Sequence, residues 1–370
     1  MDLLKKIFIL VFFTVAVAVL SRVFLISHYI DFESFYFATK AFYAGSNPYL
    51  ELNGTVVGFL YAPTSFLFFS LFTLFPLEIS GLLWTLYSVI LLVISICLLF
   101  KIAKRKILSY EFMGMLGLVF MMFPVKFSLG MGQVGMLNLF LVTLFLYLIS
   151  KNKERFTGAG LAFCLLLKFS PLFYPFYLIV LRKWRTLLIM FLTISSIFIA
   201  VFIFRPEQMM YFLTKSLPGT FNSWPMDYYN QALSGAIGRS LGKGEVAQLV
   251  KLLSSGFLIA VSFYVLWKKR SNKSVLQLGY TSLLPLSIII APLAWQHYFV
   301  LVIPTLITLY FYYQKNGAGA IRYLVLVMSY LFIAANIKST EGISPLILSH
   351  VLWGTLVLWG LSIYEVNKHE

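Results

Sequence analysis

The sequence predicts an all-α, polytopic membrane protein. Hydrophobic residues occupy 60% of the 370 positions and charged residues only 11%, whereas soluble domains carry roughly a quarter charged residues. Apolar runs of about the length that spans a bilayer recur along the chain. The runs are apolar on every side, as in helices, whereas barrel strands would alternate with a polar face. A soluble enzyme or a soluble binding module is therefore excluded.

The net charge of +16 comes from a series of short basic clusters. They fall in the gaps between apolar runs, as cytoplasmic loops do under the positive-inside rule. Topology therefore explains the charge, and we expect membrane lipids as partners and no nucleic acid. The clusters are Lys5-Lys6, Lys101 to Lys106, Lys151 to Arg155, Arg182 to Arg185, Lys268 to Lys273 and Lys315 to Arg322.

The first span is predicted from about Ile7 to Ser27 and runs outward behind the first basic cluster. No small-residue cleavage site follows it, which favours an anchor over a removed signal peptide. An external loop is predicted over 28–58. The next apolar segment, 59–76, is short, contains Pro63 and ends at Pro76, so we interpret it as a re-entrant or juxtamembrane segment.

The remaining elements follow from placing every basic cluster in the cytoplasm. Both termini are then cytoplasmic, with about twelve passages of a single domain, 1–370, through the cell inner (plasma) membrane. The predicted elements are crossings at 80–100, 112–129 and 133–150, a proline-broken hairpin at 157–181, a crossing at 186–204, an external loop at 205–244, a crossing at 246–267 and two final pairs ending near Tyr364.

This topology collects polar groups on the external face. Such groups at membrane depth are costly and usually functional. The set was chosen by topology alone, so its chemical mixture of an acid pair, cations, amides and a histidine indicates a functional site on that face. Its members are Asp31, Glu33, Asn47, Gln133, Asn138, Lys168, Asn230, Gln231, Arg239, Trp295 and His297.

Asp31 and Glu33 follow the first span between alternating aromatic residues. A carboxylate partly shielded from water has a raised pKa and is suited to take a proton from a hydroxyl as general base. The alternative is a solvated pair of loop acids. Two acids are also a weak signal for a divalent cation, and no zinc spacing or phosphate-binding glycine loop is convincing. We therefore expect neither a metal nor a cofactor.

Lys168, Arg239 and His297 are the candidates for binding an anion. Lysine acts as a point charge and arginine as a bidentate fork for phosphate oxygens, and a histidine donates a hydrogen bond to a phosphate or a sugar hydroxyl. The alternatives are cations that extend to lipid headgroups and a structural histidine.

Taken in order, several short motifs resemble glycosyltransferase family 87 of the GT-C superfamily, the polyprenyl-phosphate-mannose-dependent mannosyltransferases. The resemblance extends over most of the chain. The motifs are Asp31-Phe32 with Phe35-Tyr36, Gly45-Ser46-Asn47-Pro48-Tyr49, Phe59-Leu60-Tyr61-Ala62-Pro63, Gly132-Gln133 with Asn138, Lys168-Phe169-Ser170-Pro171, Asn230-Gln231 with Arg239, and Trp295-Gln296-His297-Tyr298.

The resemblance implies a GT-C-type fold with an external active site in which Asp31 is the catalytic base. It implies that mannose or another monosaccharide is transferred, with inversion, from a polyprenyl phosphate to an envelope glycan or glycolipid. Lys168, Arg239 and His297 would bind the donor phosphate. The remaining polar groups are expected to bind substrate: Glu33, Tyr61, Gln133, Asn138, Asn230, Gln231 and Trp295.

The chain departs from the family pattern at two positions. Thr64 stands where a second proline often follows Tyr-x-Pro, and Tyr298 stands where a second histidine often follows Trp-x-His.

Two other functions remain open at this point. A transporter or flippase would also gather polar groups near helix breaks, but no repeat relates the two halves of the sequence, and the polar groups favour one face. An acyl-modifying or lipid-modifying enzyme would need an acid beside His297, and none is close to it in sequence.

Overall fold

The computed structural model describes residues 2–26, 29–50, 59–168, 171–222, 226–272, 275–337 and 340–368. These residues fold into helices, and within them the only β-type pairing is an isolated bridge between Asn230 and Trp295. The first nine helices are α1 Asp2–Ile26, α2 Ile30–Tyr43, α3 Leu77–Ile102, α4 Tyr110–Met121, α5 Phe123–Gly130, α6 Gly135–Ser150, α7 Glu154–Leu167, α8 Phe173–Val180 and α9 Trp184–Phe204. The others are α10 Pro206–Tyr211, α11 Leu217–Asn222, α12 Leu233–Leu241, α13 Glu245–Lys268, α14 Leu276–Ile289, α15 Ile303–Asn316, α16 Ala320–Ala334, α17 Pro345–Leu348 and α18 His350–Lys368.

Within the described residues, four helices are long and apolar enough to cross a bilayer: α1, α3, α9 and α13. A fifth crossing results if α4 and α5, which meet at a bend of 65°, form one broken span. Other expected crossings fall on shorter apolar helices, such as α6, α14 and α16. The membrane protein is confirmed, whereas the number of about twelve passages stays a prediction.

The segment predicted as an external loop, 28–58, contains helix α2. The helix buries Phe32, Phe35, Tyr36 and Phe42, and the mixture of polar and aromatic residues did not predict it. The external position of this segment stays a prediction. Position 28 and positions 51–58 lie outside the described residues. The segment predicted as re-entrant, 59–76, forms two short 3-10 helices, Pro63–Phe68 and Ser70–Leu74.

An aromatic cluster holds α2 and the 3-10 segment against α3. Phe32 stacks on Trp84 with 5.5 Å between ring centroids, and Phe35 stacks on Phe69 at 4.9 Å. All four side chains are buried. Pairs in such geometries add roughly 0.5–1.5 kcal/mol each beyond their burial. The start of α2, where Asp31 lies, is thus fixed by core packing.

The segment predicted as an external loop at 205–244 is also largely helical. It contains α10, a π-helical turn at Phe212–Ser216, α11 and α12. Residues 223–225 lie outside the described residues. After it, α13 packs on α12, α14 and α18, and the 3-10 helix Gln296–Val302 packs on α5 and α6. These contacts place the 3-10 helix that contains His297 beside the turn between α5 and α6, which contains Gln133.

Candidate active site

The start of α2 is anchored by the turn that joins α5 to α6. The carbonyl oxygen of Met131 accepts hydrogen bonds from the backbone N–H groups of Asp31 (3.1 Å) and Phe32 (3.3 Å). Gly132 in this turn has φ +70°, and a Cβ there would lie 2.6 Å from the Cβ of Phe32. A glycine is therefore required both by the backbone conformation and by the close approach.

The Asp31 carboxylate accepts a hydrogen bond from the Gln133 side chain and lies near the charge of Lys168. Partial burial raises the pKa of Asp31 above its usual value near 3.8, and this effect exceeds the opposing effects of Gln133 and Lys168. A carboxylate whose pKa is raised in this way is a better proton acceptor than a solvated one.

A chain of hydrogen bonds connects Gln133 to Lys168. The Tyr61 hydroxyl donates to Oε1 of Gln133 at 3.4 Å, and Nζ of Lys168 donates to the Tyr61 hydroxyl at 3.5 Å. The Tyr61 hydroxyl also shares a hydrogen bond with that of Tyr298. The ammonium of Lys168 lies 2.9 Å from the centroid of the Tyr298 ring. The Asp31 carboxylate and the Lys168 ammonium thus belong to one connected network.

His297 lies beside this network on the 3-10 helix and is buried, with 5% of its surface exposed. Neither ring nitrogen has a hydrogen-bond partner among the described residues. Burial, followed by the nearby charge of Lys168, lowers the pKa of His297 well below 6.5. The imidazole is therefore neutral at pH 7, with one nitrogen able to donate and the other able to accept.

These groups line a single cavity of about 1440 Å³. Asp31, Tyr61, Gln133, Lys168, Trp295 and His297 form part of its wall. Much of the rest is lined by apolar side chains of α7, α8, α13 and α14, including Leu165, Phe173, Leu252 and Ile288, although α13 also contributes polar side chains. The cavity thus joins a polar end, which contains an acid and a cation, to a larger and mainly apolar region.

The profile of glycosyltransferase family 87 matches residues 59–294. The chain belongs to glycosyltransferase family 87. The match contains Gln133 and Lys168, whereas Asp31 and His297 lie outside it at either end. In a family 87 protein this cavity is the candidate active site. No match was found among curated proteins or among solved structures.

The structure does not bring Arg239 to the cavity wall with Lys168 and His297. Arg239 does not line the cavity. Its Nη1 donates to the carbonyl oxygens of Asp227 and Asn230, both at 2.8 Å, and its Nη2 donates to Oγ of Ser349 at 2.8 Å. The guanidinium group of Arg239 thus donates hydrogen bonds to backbone carbonyl oxygens inside the protein.

Asn230 and Gln231 likewise do not line the cavity. Their side chains form hydrogen bonds with the backbone of neighbouring segments. Oδ1 of Asn230 accepts from the backbone N–H groups of Ala232 and Ala294 at 3.3 and 3.1 Å. Nε2 of Gln231 donates to the carbonyl oxygens of Tyr228 and Leu348 at 2.6 and 2.7 Å. These bonds fix the backbone just before Trp295 and His297.

Two other candidates lie near the cavity but outside its wall. Glu33 is partly buried on the first turn of α2 and does not line the cavity. Asn138 is buried and lines a separate space of about 10 Å³ that also borders Gln133, Lys168 and His297. A space of that size is about large enough for one water molecule.

Tyr298 belongs to the site, although the sequence did not predict it as a site residue. The residue was noted only as a departure from the family pattern, yet its ring contacts the Lys168 ammonium and lines the cavity. The other departure, Thr64, donates from its hydroxyl to the carbonyl oxygen of Leu166 at 3.0 Å and ties the 3-10 segment to α7. Phe169 and Ser170 lie outside the described residues.

Proposed function

We propose that this family 87 protein transfers a monosaccharide, mannose or another, from a polyprenyl-phosphate donor to a hydroxyl of an envelope glycan or glycolipid. The observation that carries the proposal is the single cavity that joins Asp31 and Lys168 to an apolar region lined in part by the membrane-spanning helix α13. A donor with a charged head and a long hydrocarbon tail needs both parts.

In this proposal Asp31 is the general base. It takes the proton of the acceptor hydroxyl as that oxygen forms a bond to the anomeric carbon. The bond between the anomeric carbon and the phosphate oxygen breaks in the same displacement, and the electron pair leaves with the lipid phosphate. The raised pKa of Asp31 and its hydrogen bond from Gln133 support this role.

Lys168 and His297 stabilise the departing phosphate. Burial lowers the pKa of Lys168, and a bound phosphate favours its ammonium form, so in the donor complex the lysine supplies positive charge. The neutral imidazole supplies a hydrogen bond from a position shielded from water. Fixed donors aimed at developing charge are worth several kcal/mol in such surroundings. Trp295 and Tyr61, on the same cavity wall, contact the sugar.

A single displacement inverts the anomeric centre. Retention would require a second carboxylate about 5 Å from the first as nucleophile. Glu33, the nearest acid in the sequence, does not line the cavity, so it is not placed to act as that nucleophile.

Helix α13 supports the assignment of a lipid-linked donor. Leu249 and Leu252 of this spanning helix line the cavity, and they are 55% and 70% exposed. The cavity wall therefore includes exposed apolar side chains of a membrane-spanning helix. Such a wall is suited to contact a polyprenyl chain.

The distribution of basic clusters supports a cell inner (plasma) membrane location with both termini cytoplasmic and the cavity on the external side. The donor would then be used on the face of the membrane where envelope glycans are built.

The function is tested with purified protein in lipid nanodiscs and a set of radiolabelled polyprenyl-phosphate sugars that includes mannose. Transfer to an alkyl glycoside acceptor is expected for wild type, and its loss is expected in Asp31→Asn with an unchanged Tm. Equal turnover by the two proteins would refute the role of Asp31. Substrate movement across liposomes without any transfer would favour a transporter.

A further inference from the structure

Helix α13 presents a stripe of polar side chains to the cavity. Glu245, Gln248, Lys251 and Ser255 all line it. They are spaced three or four residues apart, so they share one face of the helix over about 15 Å. The sequence did not predict them as site residues because they are scattered within an apolar run.

The opposite face of the same helix is suited to lipid. Val246, Leu253 and Phe257 are 68%, 63% and 65% exposed. A charged side chain within a membrane-spanning helix is costly and marks a functional site by default. Lys251 lies about 9 Å along the helix from Glu245 and is only partly exposed. The polar stripe is therefore directed to the cavity and away from the bilayer.

The chemistry of the polar stripe differs from that of the network around Asp31. Glu245 carries negative charge at the beginning of the stripe and disfavours a phosphate there. An acid, an amide, an ammonium and a hydroxyl together offer alternating donors and acceptors. Such a mixture fits a neutral molecule with several hydroxyl groups. In the proposed function Lys168 and His297 bind the donor phosphate, and Asp31 contacts only the reacting hydroxyl of the acceptor. The rest of the acceptor has no assigned residues.

We propose that the polar stripe of α13 is the acceptor subsite, and that it binds the hydroxyl groups of a neutral, hydroxyl-rich acceptor such as the sugar of a glycolipid. This inference rests on the proposed function. Leu249 and Leu252, which alternate with the polar stripe on the cavity wall, contact the apolar part of the acceptor. Gln248 and Lys251 are the residues expected to set its affinity.

The test measures binding of octyl α-mannoside to protein in nanodiscs, without donor, with octyl phosphate as the anionic comparison. Lys251→Met and Gln248→Leu are expected to weaken mannoside binding about five- to tenfold and to leave octyl phosphate binding within about twofold. The matched control is Lys243→Met, an exposed cation just before α13 that does not line the cavity. It is expected to bind both compounds as wild type does.

The same variants are then compared in transfer from polyprenyl-phosphate mannose to octyl α-mannoside. The acceptor KM is expected to rise by a similar factor, with the donor KM unchanged. Unchanged mannoside binding in both variants overturns the proposal, and so does a rise in the donor KM or a selective loss of octyl phosphate binding. Mannoside binding that depends on the polar stripe, in a wild-type protein that transfers no sugar, would contradict the proposed function alone.

Discussion

The ammonium of Lys168 lies 2.9 Å from the centroid of the Tyr298 ring. Burial disfavours the charged form of a lysine, and the negative face of an aromatic ring favours it. Tyr298 is therefore a positioning residue for the cation that the proposed mechanism uses.

Removing the Tyr298 ring is expected to lower activity more than removing its hydroxyl, because the ring is the part that contacts Lys168. A desolvated cation–π contact is worth about 2 kcal/mol, so Tyr298→Leu should lower kcat/KM for the donor about 30-fold. Tyr298→Phe keeps the ring and should lose only a few-fold. Steady-state kinetics with Tm measurements check this, and Tyr264→Leu, at an exposed tyrosine of α13, is the control. Equal losses in the two Tyr298 variants would assign the effect to the hydroxyl.

The acid limb of the pH profile is expected to report Asp31. A base must be ionised, so activity is lost as the pH falls through the pKa of Asp31, which burial raises above 3.8. The hydrogen bond from Gln133 lowers that pKa. Gln133→Leu should therefore move the acid limb of kcat/KM to higher pH. Glu33→Gln, a change in an acid outside the cavity wall, should leave the limb in place, and an equal shift in both variants would argue against Asp31 as the titrating base.

Arg239→Ala is expected to lower stability rather than donor affinity. The substitution leaves the carbonyl oxygens of Asp227 and Asn230 without their charged donor, and hydrogen bonds to charged groups contribute about 1.5–3 kcal/mol each. Tm and the yield of folded protein should fall, and the protein that folds should retain its donor KM. Ser349→Ala removes one partner only and should show a smaller effect. A higher donor KM at normal Tm would restore Arg239 to the phosphate site.

Impermeant thiol labelling of intact cells tests the sidedness of the cavity. In a background with Cys97→Ser and Cys164→Ala, a cysteine at Lys243, close to the polar stripe, should react from outside. A cysteine at Lys106, in a basic cluster that is predicted to be cytoplasmic, should react only after permeabilisation. Both native residues are exposed. The reverse pattern would place the cavity on the cytoplasmic side.

The sequence predicted much of the polar end of the cavity because the predicted topology collects polar groups on one face of the membrane. Asp31, Lys168 and His297 belong to that set, and all three line the cavity. Arg239 was selected in the same way, yet its partners are backbone carbonyls. Every residue has a backbone carbonyl, so residue types do not predict which carbonyls a side chain will bond. Those partners depend on how distant segments pack.

The residues that were missed look ordinary in the sequence. Tyr298 is one of 22 tyrosines, and only the fold brings its ring beneath Lys168. Helix α2 was predicted as a loop because its inward face consists of aromatic residues mixed with polar ones, without a long apolar run. The stripe of α13 had a detectable signal, since Gln248, Lys251 and Ser255 recur at helical spacing, but the direction of that face required the structure.

The close approach of Gly132 to Phe32 determines how the protein tolerates variation. Position 132 carries no chemistry, yet any side chain there would displace Phe32 and, through the neighbouring peptide, the carboxylate of Asp31. In a saturation mutagenesis scan this position should be as intolerant as an active-site residue. The sensitivity of position 132 would come from its contact with Phe32, the residue next to Asp31. A functional map based on tolerance alone would therefore assign to Gly132 the catalytic importance that is proposed for Asp31.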